Sequence, residues 1–337
     1  MQVNELDIYD VSSDSVLQLR PFVEKFEHLP FREYGVRNDQ SANLVLDEIS
    51  DAISTGGFCL VAKEKDDVVG LISLEKLDWD TNLFGFPVAK INQLFTAKEY
   101  GESFEVKKEL ISSLVKRCFR NLLLHVSVRV SKEDLTSIHA LESKSFRLMD
   151  VLVTYSFDFR KQSINDLVIP NQIRQYKLDE LAILSEIAQE CFGESNVATD
   201  RFHADSTLPR ERSDLLYVKW LLNSSQDPDS EILVAEIKGK PVGFNICSIG
   251  KKTAEKLGFR LGKIALTAVK PSERGRLIAT SLLRASLMWF TDKVDIVETG
   301  GQVSNYAIQR AWTRVGFKIT RSQCTLHWSP KPNSGHL

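Results

Sequence analysis

The 337-residue sequence is short of several things, and each shortage excludes a class of protein. There are five cysteines, Cys59, Cys118, Cys191, Cys247 and Cys324, far apart and never as C-x-x-C. That spacing argues against a disulfide scaffold and against a zinc site, so no metal is expected; buried thiols in a reducing compartment are the natural reading. No apolar run approaches the ~20 residues that a membrane span needs, and no basic-then-apolar stretch opens the chain. The expectation is a cytoplasmic protein with no membrane partner. An excess of one charge is missing too: 43 Lys and Arg stand against 45 Asp and Glu, so no whole-chain field points to nucleic acid. What remains is a globular composition on a chain long enough for two ordinary domains. The stretch Ser329 to Leu337, rich in Pro, Ser and Gly, reads as a tail.

Val16, Leu19, Phe22, Val23 and Phe26 are spaced for a helix, and Asn43 to Ile53 predicts a second, ended by Gly56-Gly57. Phe58 to Leu74 holds two apolar runs around the charged turn Lys65-Asp66-Asp67, a β-hairpin. Ile232 to Ile249 has the same form around Lys238-Gly239-Lys240. Val61-Ala62 matches Val234-Ala235, and Val69-Gly70 matches Val242-Gly243, both at a shift of 173. Ala140 to Phe146 echoes Ala311 to Phe317 at a shift of 171, and each leads into a β-rich run, Val151 to Phe159 and Lys318 to Trp328. Landmarks at nearly one offset indicate a duplicated unit of roughly 165 residues. The expected copies are residues 1–165 and 170–330, joined by the polar Arg160 to Pro170. The second is expected to open with a helix, Asp179 to Cys191, capped by Asp179; a polar loop, Gly193 to Arg212, then leads to a helix over Ser213 to Asn223. Each copy reads helix, helix, hairpin, strand, helix, strand, helix, strand, an α/β sheet with helices on its faces.

One stretch is kept in a single copy. Ile264 to Val269 is an apolar run ending at Pro271; a basic turn, Ser272 to Arg276, follows, and a helical pattern starts at Leu277. Strand, tight basic turn and helix start present free backbone N–H groups and a positive helix end to a phosphate. A shift of about 172 back falls on Ile91 to Lys108. There the Pro and the Arg-Gly-Arg turn are gone, and Glu99, Glu102 and Glu105 crowd the turn, where they would repel a pyrophosphate. The second copy is therefore read as the working one and the first as structural.

Val269, Pro271, Arg274, Gly275 and Ala279 resemble the R-G-x-G-x-A turn of the GNAT acyltransferase superfamily, whose N–H groups hold the pyrophosphate of coenzyme A; Leu277 stands where that family usually has glycine. Gln302 to Asn305 followed by Ala311 to Phe317 resembles the second GNAT signature, N-x-x-A-x-x-x-Y-x-x-x-G-F. Asn305, Gly316 and Phe317 match it, and Trp312 stands at the tyrosine. The resemblance implies tandem GNAT-like domains, each a mixed, mostly antiparallel sheet flanked by helices, with acetyl-coenzyme A as co-substrate. It implies direct transfer without an acyl-enzyme. Backbone groups of Thr267, Ala268 and Val269 would meet the oxyanion. Val269, Arg274, Gly275, Arg276, Leu277, Ile278, Ala279 and Thr280 would line the coenzyme, and Asn305 would hold its pantetheine arm. The family's tyrosine protonates the departing thiolate. An indole N–H donates a hydrogen bond but is no acid near neutral pH, so the general acid stays unassigned. Trp312 also reads as a core anchor, like its counterpart Leu141.

Phe202 to Asp205, Leu216 to Asn223 and Trp79 to Gly85 resemble the superfamily's TDP-4-amino-4,6-dideoxygalactose (TDP-fucosamine) N-acetyltransferases, which pair a degenerate N-terminal half with a working C-terminal one. That resemblance implies transfer to the amine of a nucleotide-linked amino sugar in polysaccharide biosynthesis. Arg201, His203, Tyr217 and Trp220 are the candidate acceptor contacts, although a histidine in a polar loop is more often structural, and Tyr217 and Trp220, on one helix face, more often core. Two other functions stay open: acyl transfer to another small amine or a protein amine, and a catalytically weak GNAT-like binding module, which Leu277 and Trp312 motivate. Ser322 to Trp328 reads as an edge strand able to pair across a homodimer.

Overall fold

The computed structural model describes residues 6–330 except 98, 165–168, 170–171 and 194–199. Parts of the expected linker, of the polar loop after Gly193 and of the tail therefore lie outside the described residues. In chain order the first half runs β1 (Asp7–Asp10), α1 (Arg20–Val23), α2 (Asn38–Ser54), β2 (Phe58–Glu64), β3 (Asp67–Lys76), α3 (Asp78–Phe84), β4 (Val88–Thr96), α4 (Tyr100–Arg120), β5 (His125–Ser131), α5 (Leu135–Ser143) and β6 (Arg147–Asp158). The second half repeats it: β7 (Gln172–Gln175), α6 (Leu181–Phe192), α7 (Arg210–Ser224), β8 (Ser230–Ile237), β9 (Lys240–Gly250), α8 (Lys251–Leu257), β10 (Leu261–Val269), α9 (Ile278–Phe290), β11 (Ile296–Gln302), α10 (Tyr306–Val315) and β12 (Lys318–Trp328).

Two of the expected helices start differently. The run from Val16 to Phe26 is a 3₁₀ segment, Ser13–Leu19, followed by the single turn of α1, with Pro21 at its start. Proline fixes φ and lacks an N–H, so it opens a helix but cannot continue one. Asp179 is not a cap: it lies inside a 3₁₀ turn, Leu178–Glu180, and the Glu180 carboxylate accepts from the Lys177 N–H at 2.9 Å.

The duplication extends to irregularities that the sequence does not mark. The β2–β3 and β8–β9 hairpins each carry an extra residue, Val69 and Val242, and the β3–β4 and β9–β10 pairs each carry another, Asn92 and Ala265. All of these pairs, like the short helices α3 and α8, are related by a shift of 173. The halves part company at the connection after the fourth strand. In the first it is three residues, 97–99; in the second it is eight, 270–277. Helix α4 is correspondingly longer, so Glu102 and Glu105 lie within the helix rather than in a turn, and Glu105 pairs with Lys108 at 2.8 Å.

The compact units are Met1–Val151 with Gln323–Leu337, and Leu152–Ser322, and this division departs from the expected 1–165 and 170–330. The strand that closes each sheet comes from the other half of the sequence. In the first unit the order is β1-β2-β3-β4-β5-β12, with Gln323–Trp328 antiparallel to β5. In the second it is β7-β8-β9-β10-β11-β6, with Leu152–Asp158 antiparallel to β11. Since β6 and β12 have the same alternating apolar pattern, either suits either sheet, and the repeat alone could not tell them apart. Gln323–Trp328, within the expected edge strand Ser322–Trp328, pairs with β5 along one side, which satisfies alternate backbone groups within the chain.

Each sheet has one parallel neighbour pair, β4–β5 and β10–β11. The first unit packs α4 and α5 on one face around Leu110, Ile111, Leu114 and Leu141, and α2 on the other around Val45, Leu46 and Ile49. The second packs α9 and α10 around Leu282, Leu283, Leu287, Trp312 and Phe317. All five cysteines are free and buried. Among the described residues, no helix is long and apolar enough to cross a membrane.

Candidate active site

The site grows from β10. Its parallel pairing with β11 covers only Leu261–Ile264 against Ile296–Thr299. Beyond the bulge at Ala265, β10 continues to pair with β9 through Val269. The side of β10 that faced β11 is therefore left without a strand partner over its last residues. The Lys270 N–H donates to the Val242 carbonyl at 2.9 Å. Since N–H direction alternates along a strand, Ala268 also points its N–H to β9, whereas Thr267 and Val269 point theirs to the open side. Of the three expected backbone contacts, Thr267 and Val269 thus offer donors there and Ala268 does not. The Cys191 thiol, at the end of α6, donates to the Val269 carbonyl at 3.1 Å. Burial raises its pKa, which keeps it a neutral donor.

After β10 the chain turns through a 3₁₀ step, Pro271–Glu273. Gly275 then adopts φ 81° and Leu277 φ 59°, both left-handed, on either side of Arg276. A Cβ on Gly275 would meet nothing within 4 Å, so the turn is open above it. Leu277 holds the backbone conformation that glycine adopts freely, at a cost on the order of 1 kcal/mol, and its side chain is 46% exposed. Leu277 is the N-cap of α9 without a side-chain cap, and the first intrahelical bond runs from the Ser281 N–H to the Leu277 carbonyl. The N–H groups of Ile278, Ala279 and Thr280 consequently have no helical partner and sit at the positive end of the helix. Glu273 would oppose an anion, but Arg276 pairs with it at 2.9 Å.

Asn305 is the N-cap of α10, and its Oδ1 accepts from the Ile308 N–H at 3.4 Å. That fixes the amide and leaves Nδ2 to donate. Gly316, at φ 100°, ends the same helix and turns Phe317 into the core. Trp312 is 2% exposed and lies 5.1 Å from the Tyr155 ring, as a core anchor would, yet its Nε1 has no hydrogen-bond partner among the described residues.

The first unit fills the equivalent place differently. Asp134 caps α5 as Asn305 caps α10, accepting from the Ser137 N–H at 3.0 Å. Lys107, on α4 at the position that the shift of 173 relates to Thr280, is 2% exposed and salt-bridges Asp134 at 2.8 Å, with Thr136 Oγ1 at 2.7 Å. Burial opposes ionisation of Asp134, but the Lys107 ammonium and the Ser137 donors outweigh it and hold its pKa below the usual carboxylate value. A cation of the protein itself thus occupies the cap. The sequence carried a signal for this, because Asp134 aligns with Asn305 at the shift of 171.

Two of the four candidate acceptor residues, His203 and Tyr217, belong to one hydrogen-bond network. His203 Nδ1 lies 2.8 Å from Asp200 Oδ2, and its Nε2 lies 3.0 Å from Asp214 Oδ1. The Tyr217 hydroxyl donates to Asp200 Oδ2 at 2.7 Å, and its ring stacks on Phe192 at 4.3 Å. Both ring nitrogens of His203 are engaged, so this histidine ties the loop to α7. Arg201 packs over the Phe202 ring at 4.1 Å, and Trp220 is half-buried beside Tyr217. The bond to Asp200 raises the His203 pKa against burial; Asp200 is lowered, because His203 and Tyr217 together outweigh its burial. A raised His pKa contributes stability that is full below about 6.5, the unfolded value, and is lost as pH rises through the folded pKa. A lowered Asp pKa contributes stability that is present above about 3.9 and is lost as pH falls through the folded pKa. His203→Gln is therefore expected to lower the thermal midpoint more at about pH 6 than at about pH 9. Equal losses at both would show that His203 is not held as the imidazolium.

Residues 184–317 match the sequence model of the Acetyltransferase (GNAT) family. No curated protein sequence matches the chain. Solved structures share the fold across nearly the whole chain. A GCN5-related N-acetyltransferase from Sphaerobacter thermophilus aligns with TM-score 0.60 and 15% identity over 97% of this chain and 96% of its own. A tandem GNAT protein from the clavulanic acid biosynthesis pathway aligns with TM-score 0.55 and 13% identity over 98% and 100%. The GCN5-related glucosamine N-acetyltransferase region of a fungal multi-domain GH3 β-N-acetylglucosaminidase aligns with TM-score 0.63 and 15% identity, over 96% of this chain and 38% of that one. Residues 184–317 thus match that family in sequence, and the chain shares the fold of these structures.

Proposed function

With a GNAT-superfamily acetyltransferase domain as the premise, we propose that the chain is an acetyl-coenzyme A-dependent N-acetyltransferase whose single working site lies in the second unit. The observation that carries this is the continuity of one donor surface. The open side of β10 at Thr267 and Val269 leads directly into the turn at Gly275 and the unpaired N–H groups of Ile278, Ala279 and Thr280. The chemistry of these donors fits the co-substrate. The turn from Arg274 to Thr280 would take the pyrophosphate, Asn305 Nδ2 the pantetheine arm, and the N–H groups of Thr267 and Val269 the charge that builds on the carbonyl oxygen. A neutral acceptor amine attacks the acetyl carbon directly, and alignment of the two substrates supplies much of the acceleration. In the first unit the shortened connection and the Lys107–Asp134 pair favour a structural role.

The acceptor in this reading is the amine of a nucleotide-linked amino sugar, in a cytoplasmic step of polysaccharide synthesis. The resemblance carried by Phe202–Asp205 and Leu216–Asn223 supports it, as does fold similarity to a glucosamine N-acetyltransferase region. Arg201 and Trp220 are the proposed contacts to it, while His203 and Tyr217 hold the loop in shape. Calorimetry tests the core of the proposal. One acetyl-coenzyme A is expected to bind per chain, and Asn305→Ala to cut turnover about tenfold through loss of a hydrogen bond and the helix cap. No binding at millimolar ligand would remove the enzymatic reading, and two molecules per chain would remove the structural role of the first unit.

A further inference from the structure

We propose that Cys191 is a positioning residue of the acyl-transfer site. Its thiol holds the last residue of β10 through the Val269 carbonyl, so that the Val269 N–H stays aimed at the thioester oxygen. The inference rests on the acetyl-coenzyme A reading above and goes beyond it by giving a side chain of α6 a part in the reaction.

The geometry of β10 shows why its end needs holding. In an antiparallel ladder a residue that faces its partner directs both its N–H and its C=O to it, and the next residue turns both away. Ala268 lies opposite Phe244, and the Lys270 N–H reaches the Val242 carbonyl at 2.9 Å. Val269, between them, therefore turns its carbonyl as well as its N–H to the side that β11 has left. The parallel pairing ended at Ile264, and Pro271, two residues on, has no N–H to add to the ladder. A carbonyl left open there would set its negative end beside the N–H groups that are to meet an oxyanion.

The Cys191 thiol meets both needs. It lies 3.1 Å from the Val269 carbonyl oxygen, well inside the 4.0 Å that separates the Cys59 thiol from the carbonyl of Leu60, its neighbour in the chain. Cys191 is 7% exposed and belongs to the last turn of α6, so packing of the helix fixes the donor against the strand. A thiol is a weak, neutral donor, and it engages the carbonyl without adding a charge next to the oxyanion. Burial raises its pKa more than the neighbouring Arg274 lowers it, so the proton stays on sulfur.

The test is the infrared carbonyl stretch of acetyl-coenzyme A, isotope-labelled at the acetyl carbonyl and bound to the full chain. In wild type the bound stretch is expected below that of the free ligand, because the β10 donors polarise the carbonyl. Cys191→Ser keeps a donor of nearly the same size and is expected to keep that shift. Cys191→Ala is expected to lose about half of it while binding acetyl-coenzyme A within about threefold of wild type by calorimetry, since the pyrophosphate contacts are untouched. A purely structural thiol would change the thermal midpoint and leave the shift alone. An undiminished shift in Cys191→Ala, or equal losses in both variants, overturns the inference and leaves the coenzyme site standing. Failure of wild type to bind acetyl-coenzyme A overturns that site and the inference with it.

Discussion

Glutamate in place of Gly275 is expected to weaken acetyl-coenzyme A binding on the order of 100-fold at low salt, with the fold retained. Two effects of the substitution separate cleanly. The first is conformational: Gly275 sits at φ 81°, so any side chain there is strained by on the order of 1 kcal/mol. Its Cβ would meet nothing within 4 Å, so no packing is lost and the chain stays folded. The second is electrostatic. A carboxylate about 5 Å from a pyrophosphate opposes it by about 3 kcal/mol at an effective dielectric constant of 20, and salt reduces that figure. Gly275→Asn carries the strain without the charge, and asparagine tolerates this conformation, so it is expected to bind within about threefold of wild type. Calorimetry on both variants reads the difference. If Gly275→Glu binds as tightly as Gly275→Asn, the pyrophosphate lies elsewhere.

This turn was legible in the sequence because its determinants are local. Pro271 ends the strand, Gly275 permits the left-handed bend, and the apolar period resumes at Ile278 within one residue of the expected helix start. The hairpins were legible for the same reason, through alternating apolar runs around charged turns. Features that depend on partners distant in the chain were not. The exchange of β6 and β12 between sheets leaves no local trace, because the closing strands carry equivalent apolar faces. The bulges at Asn92 and Ala265 lack the glycine that often marks a bulge, although Ala265 begins the open stretch of β10 on which the site depends. His203 illustrates the middle case. Asp200 lies three residues before it in the chain, but the second carboxylate, Asp214, comes from α7, and only the two together make a polar-loop histidine a tie.

The largest effect on stability is expected at a residue with no part in the proposed reaction. Lys107→Met should destabilise the first unit by about 3–5 kcal/mol at neutral pH, since it strips a buried carboxylate of its counter-ion. Asp134 would keep Thr136 and Ser137 as donors, at 2.6–3.0 Å, but not a positive charge. The penalty should shrink as pH falls and the orphaned carboxyl of the folded variant takes up a proton. A second substitution separates the ion pair from the cap. Asparagine caps a helix as well as aspartate does, and Asn305 shows the amide serving that role on α10. Lys107→Met with Asp134→Asn is therefore expected to recover more than half of the loss, because it removes the unpaired charge and keeps an acceptor for the Ser137 N–H. Hydrogen exchange of the α4 and α5 amides reads each variant within the first unit, without assuming that the two units unfold together. If the double variant is no more protected than Lys107→Met alone, the stability lies in the packing of the lysine stem, and the ion pair adds nothing to it.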